Sequence, residues 1–130
     1  MKKTIRVVAA LIYKNKKIFA AKRAYGFLQG KWELPGGKIE INETPEEAII
    51  REIKEELSTD ISVNSFFTNI VYEYPDFILD MDVFECSIIK GRLSLDSNIH
   101  SEERFMGIGE LCPNEWCPAD KIIIERLIKY

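Results

Sequence analysis

Cysteine and histidine are scarce in this 130-residue chain: three cysteines, Cys86, Cys112 and Cys117, and one histidine, His100. The cysteines are odd in number and form no C-x-x-C pair. Neither a disulfide framework nor a zinc site, with its roughly four ligands, is expected. Reduced thiols in a cytoplasmic protein are the expectation. No apolar run approaches the ~18–20 residues of a membrane span. The patch from Val7 to Tyr13 follows Met1-Lys2-Lys3 but has Arg6 against it and Lys14, Lys16 and Lys17 after it. That reads as a strand and not as a cleaved signal. Low-complexity tracts, linkers and repeats are absent, so residues 1–130 are read as one domain. There is no basic excess either: 18 Lys+Arg against 21 Asp+Glu give a net charge of −3. A general nucleic-acid-binding surface would read basic, so no nucleic-acid partner is expected.

What is present is a divided charge. Residues 1–38 carry 10 basic residues and 1 acidic one, and residues 40–56 carry 2 and 7. Ile5–Tyr13 and Lys17–Lys22 read as strands joined by a turn at Lys14-Asn15-Lys16. Tyr25–Lys31 is a loop, Trp32-Glu33-Leu34 a short strand, and Pro35-Gly36-Gly37 a breaker. Thr44-Pro45-Glu46-Glu47 combines an N-cap threonine, a proline at the first helical position and a glutamate three residues after the cap, which predicts a helix from Pro45 to about Leu57. Ile61–Tyr74, Phe77–Ile89 and Arg104–Ile108 are expected strands. A last helix runs from about Ala119 to Lys129, with Ile123, Ile124 and Leu127 facing inward. The order predicts an α+β fold, an α/β/α sandwich with a mixed sheet between helices.

On the first helix Ile49, Ile50, Ile53 and Leu57 fall in one stripe of ~100°. Glu52, Glu55 and Glu56 cluster in a second arc. Like charges at i, i+3 and i+4 repel, and the last helical turn disfavours anions. Such a cluster is either a solvated face or the holder of a cation. Oxygen-only ligands would select a hard ion such as Mg²⁺, Mn²⁺ or Ca²⁺. The Asp-rich loop of an EF-hand is missing. So is a Walker phosphate loop, since Gly36-Gly37-Lys38 is followed by Ile39.

Gly37, five residues, Glu43, seven residues, then Arg51-Glu52-Ile53-Lys54-Glu55-Glu56 resembles the Nudix box, here spanning about residues 37–59. Ser58 and Thr59 depart from it, standing where the family has a glycine and an aliphatic residue. The missing glycine would be a left-handed helix cap, so Ser58 is expected to cost about 1 kcal/mol locally. Trp32–Lys38 looks like the family's strand-loop lead-in. The resemblance extends over nearly the whole chain and is to the MutT-type branch, with its Nudix fold and its hydrolysis of nucleoside triphosphates to monophosphate and pyrophosphate. It implies that Glu52, Glu55 and Glu56, with the Gly37 carbonyl, hold Mg²⁺ (Mn²⁺ as a substitute), and that Glu52 activates the attacking water. It implies a structural ion pair between Glu43 and Arg51, and phosphate contacts from Arg23 and Lys38, with Lys22 turned to the other sheet face. Where this branch often has a Glu-His pair before its last strand, this chain has Ile99-His100. Glu102, or Glu103, is the expected replacement ligand, and His100 is expected to be structural or solvated.

Tyr72–Asp76 and Cys117–Asp120 look like the branch's base-contacting segments. Phe77 and Asp120 stand where 8-oxo-dGTP-sanitising relatives have arginine and asparagine. An ionised aspartate only accepts hydrogen bonds, which favours a base with an exocyclic amine, as cytosine has. Asp120 would otherwise simply complement the dipole at a helix N-terminus. Tyr74 or Phe27 could stack on the base. The expected function is thus Mg²⁺-dependent pyrophosphohydrolysis of a cytosine triphosphate (CTP, dCTP or a 5-substituted dCTP) in nucleotide-pool housecleaning. The expected partner is a small nucleotide, and the protein a monomer or homodimer. Alternatives are 8-oxo-dGTP hydrolysis, another nucleoside diphosphate derivative as substrate, and, from a different class, a nucleotide-sensing module without catalysis.

Overall fold

The structure is a computed structural model, and it describes residues 1–93 and 100–129. Its first hairpin joins β1 (Lys3–Lys14) to β2 (Lys17–Arg23). Asn15 and Lys16 between them take φ of 52° and 64°, the left-handed pair that a two-residue hairpin needs. There follow β3 (Trp32–Glu33), β4 (Gly36–Lys38), α1 (Pro45–Leu57), β5 (Asp60–Glu73), β6 (Phe77–Lys90), β7 (His100–Met106) and α2 (Pro118–Lys129). The strand order is β3-β2-β1-β6-β5, with β4 also on β1 and β7 also on β2. β1 and β6 run parallel, from Lys3 beside Phe77 to Tyr13 beside Ser87, and the other pairs are antiparallel.

The period of two along β1 divides the core. Val8, Ala10 and Ile12 pack with Ile49, Ile53 and Leu57 of α1, and Ala9 and Leu11 pack with Ile123 and Ile124 of α2. The expected α/β/α layering is thus present. Thr44 accepts the Glu47 N–H at 3.1 Å, and the Glu47 carboxylate accepts the Thr44 N–H at 2.8 Å. This reciprocal cap starts α1 where the sequence predicts.

Three expectations change. Ile50 is 42% exposed, and Ala48 is buried in its stead. The helix is rolled toward β4, which buries part of its acidic arc and lifts Ile50 off the sheet. Gly36-Gly37 does not break the chain but forms β4, pairing with Val8 and Ala9. A Cβ on Gly36 would overlap the Val8 carbonyl oxygen, so only glycine permits that approach. The strand expected at Arg104–Ile108 begins at His100 and ends at Met106, and Ile108–Glu110 is a turn of 3-10 helix. Leu127 packs only partly buried against the α2-side core.

Candidate active site

The roll of α1 gives its three glutamates different settings. The side chains of Glu52 and Glu56 are 19% and 14% exposed, that of Glu55 60%. β4 lies directly against Glu52, where a Cβ on Gly37 would overlap the carboxylate.

Arg51 organises the loop that joins β4 to α1. Its Nε and Nη2 donate to the two Glu43 oxygens at 2.6 and 2.9 Å, and Nη2 also donates to the Lys38 carbonyl at 3.0 Å. The expected Glu43–Arg51 pair is therefore present as a two-pronged clasp from helix to loop. Hydrogen bonds from Arg51 and from the Glu40 N–H hold the Glu43 carboxyl down to about 2. The Arg51 guanidinium is shifted up, by its bonds to Glu43 and Glu52, against the opposing effect of burial. Its Nη1 lies 2.9 Å from Glu52 Oε1 and 3.2 Å from Glu55 Oε2. Among the described residues no three His, Cys, Asp or Glu side chains converge closely enough to hold an ion. Arg51 supplies the local positive charge and draws Glu52 and Glu55 to itself. The donors nevertheless suit a hard divalent cation. They are carboxylate oxygens on one helix face, with the Gly37 backbone packed directly against Glu52.

A cavity of about 360 Å³ has both polar and aromatic lining. Gly37, Glu56, Glu33, His100, Arg23 and Asp120 line it together with Phe27, Leu28, Tyr74 and Phe77. Tyr74 stacks on Phe77 with centroids 5.1 Å apart and meets Phe27 edge-on at 5.5 Å. Its hydroxyl oxygen accepts the Ala119 N–H at 3.2 Å, and burial pushes the phenol up to about 12. Tyr74 is a buried wall of the cavity, and the Phe27 ring is exposed.

Asp120 is buried at the start of α2, and its Oδ2 accepts the Leu34 N–H at 2.8 Å. Burial pushes this carboxyl up to about 7, against the pull of the Leu34 hydrogen bond. The ionised, accept-only aspartate expected from the sequence is thus joined near neutral pH by a neutral acid that can also donate.

Arg23 lies in the cavity but uses much of its guanidinium within the protein. Nε donates to the Phe27 carbonyl at 2.9 Å, and Nη1 to Glu33 Oε1 at 3.1 Å. Burial opposes its charge, but the Glu33 carboxylate outweighs it and shifts Arg23 upward. Lys38 is exposed. Lys22 does take the other face, over the Trp32 ring at 5.2 Å. Glu102 goes with it, in contrast to its expected place among the ligands. β7 starts at His100, so its register sets Glu102 beside Lys22 and Arg104 beside Ala20. Glu102 pairs with Lys22 at 3.7 Å and Arg104 at 2.7 Å, on the Trp32 side of the sheet and away from the α1 carboxylates. Ile99 lies outside the described residues.

Two cavity residues had no role in the sequence reading. In the sequence Glu33 is only part of a short strand, and the expectation for His100 is a structural or solvated role. The ring of His100 is buried, with Nε2 2.9 Å from Glu33 Oε2 and Nδ1 3.6 Å from Glu56 Oε1. Glu33 carried one signal, as the single acidic residue among the first 38.

The NUDIX domain family pattern matches residues 3–129. The chain belongs to the Nudix family. This Nudix hydrolase is 34% identical over 95 residues to the 8-oxo-dGTP diphosphatase of Proteus vulgaris, covering 72% of this chain and 85% of that protein. It is 30% identical over 127 residues to the CTP pyrophosphohydrolase of Escherichia coli K12, covering 97% and 93%. The crystal structure of a MutT Nudix hydrolase from Burkholderia pseudomallei superposes with a TM-score of 0.87 at 21% identity, covering 97% of this chain and 99% of that one. The fold is therefore the Nudix fold, and the protein is a pyrophosphohydrolase that acts on phosphorus-containing anhydrides of nucleotides. Enzymes of this family generally use a divalent metal ion. Among the described residues no helix is long and apolar enough to cross a membrane.

Proposed function

We propose that this Nudix hydrolase converts a cytosine (deoxy)nucleoside triphosphate to its monophosphate and pyrophosphate, as part of nucleotide-pool housecleaning. Glu52, Glu55 and Glu56, with the Gly37 carbonyl, would hold Mg²⁺, for which Mn²⁺ could substitute. When bound, the cation neutralises phosphate charge and lowers the pKa of a coordinated water. Glu52, held between Gly37 and Arg51, takes the proton of the attacking water. The new oxygen bond forms at the β-phosphorus, and the bond from that phosphorus to the α–β bridging oxygen breaks, releasing the monophosphate. Arg23 and Lys38 would meet phosphate oxygens.

The choice of base is carried by Asp120. The neutral acid offers one O–H donor beside a carbonyl oxygen that already accepts the Leu34 N–H and keeps a second lone pair. Cytosine presents the complementary pair, an acceptor at N3 and the amino donor at N4. An ionised carboxylate would accept from the N4 amine but oppose N3, and its two acceptors better suit the two N–H groups on a guanine edge. The expectation that the ionised form favours cytosine is corrected to the neutral form. The match to the Escherichia coli CTP pyrophosphohydrolase covers 97% of this chain, which favours the same reading. The Proteus relative favours 8-oxo-dGTP as the second reading.

The test is a panel of canonical and modified triphosphates assayed with Mg²⁺, with pyrophosphate as the readout. Highest kcat/KM on a cytosine triphosphate is expected. Far higher kcat/KM on 8-oxo-dGTP would overturn the base assignment, and release of orthophosphate with a diphosphate would overturn the reaction.

A further inference from the structure

His100 is buried, yet among the described residues no backbone group satisfies its ring. Nε2 lies 2.9 Å from Glu33 Oε2. Among the described residues Nδ1 has no hydrogen-bond partner, and it faces Glu56 Oε1 at 3.6 Å. Glu33 is fixed in turn, because its other oxygen accepts Arg23 Nη1 at 3.1 Å, and Arg23 Nε is bound to the Phe27 carbonyl. Four elements meet here: β3 gives Glu33, β7 His100, α1 Glu56 and β2 Arg23. A core histidine with only a packing role would not need a carboxylate at one nitrogen and a second carboxylate opposite the other. Glu33 selects the ring orientation, and burial prevents the ring from turning. Nδ1 is left aimed at one oxygen of the carboxylate that the site reading assigns to the cation. A partner that orients a metal-binding side chain in this way commonly matters about 10- to 100-fold in metal affinity or activity.

We propose that Glu33 and His100 are positioning residues that aim the Glu56 carboxylate at the divalent cation, and that Arg23 ties this relay to the Phe27 loop. This rests on the reading of Glu56 as a metal ligand. Arg23 then acts as much through Glu33 as through any phosphate contact.

The experiment is an equilibrium Mn²⁺ titration of nucleotide-free protein, read by the loss of the free-ion paramagnetic signal, on wild type, Glu33→Ala, Glu33→Gln and His100→Phe. Circular dichroism verifies the fold of each. Glu33→Ala and His100→Phe are expected to weaken Mn²⁺ by about 10-fold or more. Glu33→Gln keeps a polar atom at His100 Nε2 and should recover most of that loss. In steady-state assays kcat should fall in the same order, with KM for the triphosphate little changed. Should His100→Phe fail to fold, the two Glu33 variants carry the test. Wild-type Mn²⁺ affinity in Glu33→Ala, or equal losses in Glu33→Ala and Glu33→Gln, would overturn the proposal. Absence of Mn²⁺ binding by wild type would overturn it together with the metal reading. Tight Mn²⁺ binding without turnover of cytosine triphosphates would sink the substrate reading alone.

Discussion

The Cα of Gly37 packs against the Glu52 carboxylate so closely that a methyl group there would overlap it. Gly36, one residue earlier, packs as closely against the Val8 carbonyl. The two alanine substitutions should therefore fail differently. At Gly37 the obstacle is a side chain, which can swing away while the fold survives. A displacement of about 1 Å at a catalytic group costs on the order of 100-fold in rate. Gly37→Ala should lower kcat/KM by about that factor, with the unfolding midpoint little moved. At Gly36 the obstacle is backbone, so β4 must leave β1. Gly36→Ala should destabilise by about 2–4 kcal/mol. Urea unfolding and steady-state assays on the same preparations separate the two outcomes.

Glu52 and Glu55 both touch Arg51 Nη1, but Glu52 is largely buried beside Gly37 and Glu55 is mostly exposed. If Glu52 takes the proton of the attacking water, Glu52→Gln should lower kcat by about 10²–10⁴-fold, the usual weight of a general base. Glu55→Gln should cost less. Undiminished turnover by Glu52→Gln would remove it from that role.

The parts of this site that were legible in the sequence are those set by local rules. The capping box at Thr44–Glu47 fixed the start of α1, and the spacing of Glu52, Glu55 and Glu56 put them on one face. The rest depended on pairings between distant segments. Gly36-Gly37 reads as a breaker until β1 offers Val8 and Ala9 as partners. The Glu33–His100 contact joins residues 67 positions apart. Glu102 was misplaced because the start of β7 was set four residues late, and a strand's faces are assigned only once its register is known. Asp120 was found by resemblance, but its protonation depends on burial that only the packed α2 supplies.

Ser58 shows a local rule at work. It ends α1 at φ 51°, ψ 39°, with its N–H on the Lys54 carbonyl. This is the left-handed conformation that costs a side chain about 1 kcal/mol relative to glycine. Ser58→Gly should raise stability by about that amount, a rise of about 3–5 °C in Tm for a domain of this size. The site carboxylates are untouched, so kcat/KM should stay at the wild-type value. A fall in Tm would show that the serine side chain contributes more than its backbone strain costs.

Asp120 links stability and specificity through one proton. Its carboxyl sits near 3.8 when unfolded and is pushed up to about 7 in the fold by burial. Between these values the folded protein binds the proton and the unfolded chain does not. Stability is therefore full below about pH 4 and is lost as pH rises toward 7 and above. Three pKa units set an upper bound of about 4 kcal/mol for this group. Asp120→Asn keeps an acceptor for the Leu34 N–H and has no charge to bury. It should remove this part of the pH dependence and match or exceed wild-type stability at pH 8. The same proton enters substrate choice. In wild type the ratio of cytosine to guanine turnover should fall as pH climbs through 7, because the neutral acid suits cytosine N3 and N4. Taking the ratio cancels the pH dependence that both substrates share at the α1 carboxylates. An asparagine amide donates and accepts at every pH, as the neutral acid does, so in Asp120→Asn the ratio should be flat and stay at its low-pH value. Competition assays with paired triphosphates from pH 6 to 9 measure it, and a wild-type ratio independent of pH would show that Asp120 does not read the base.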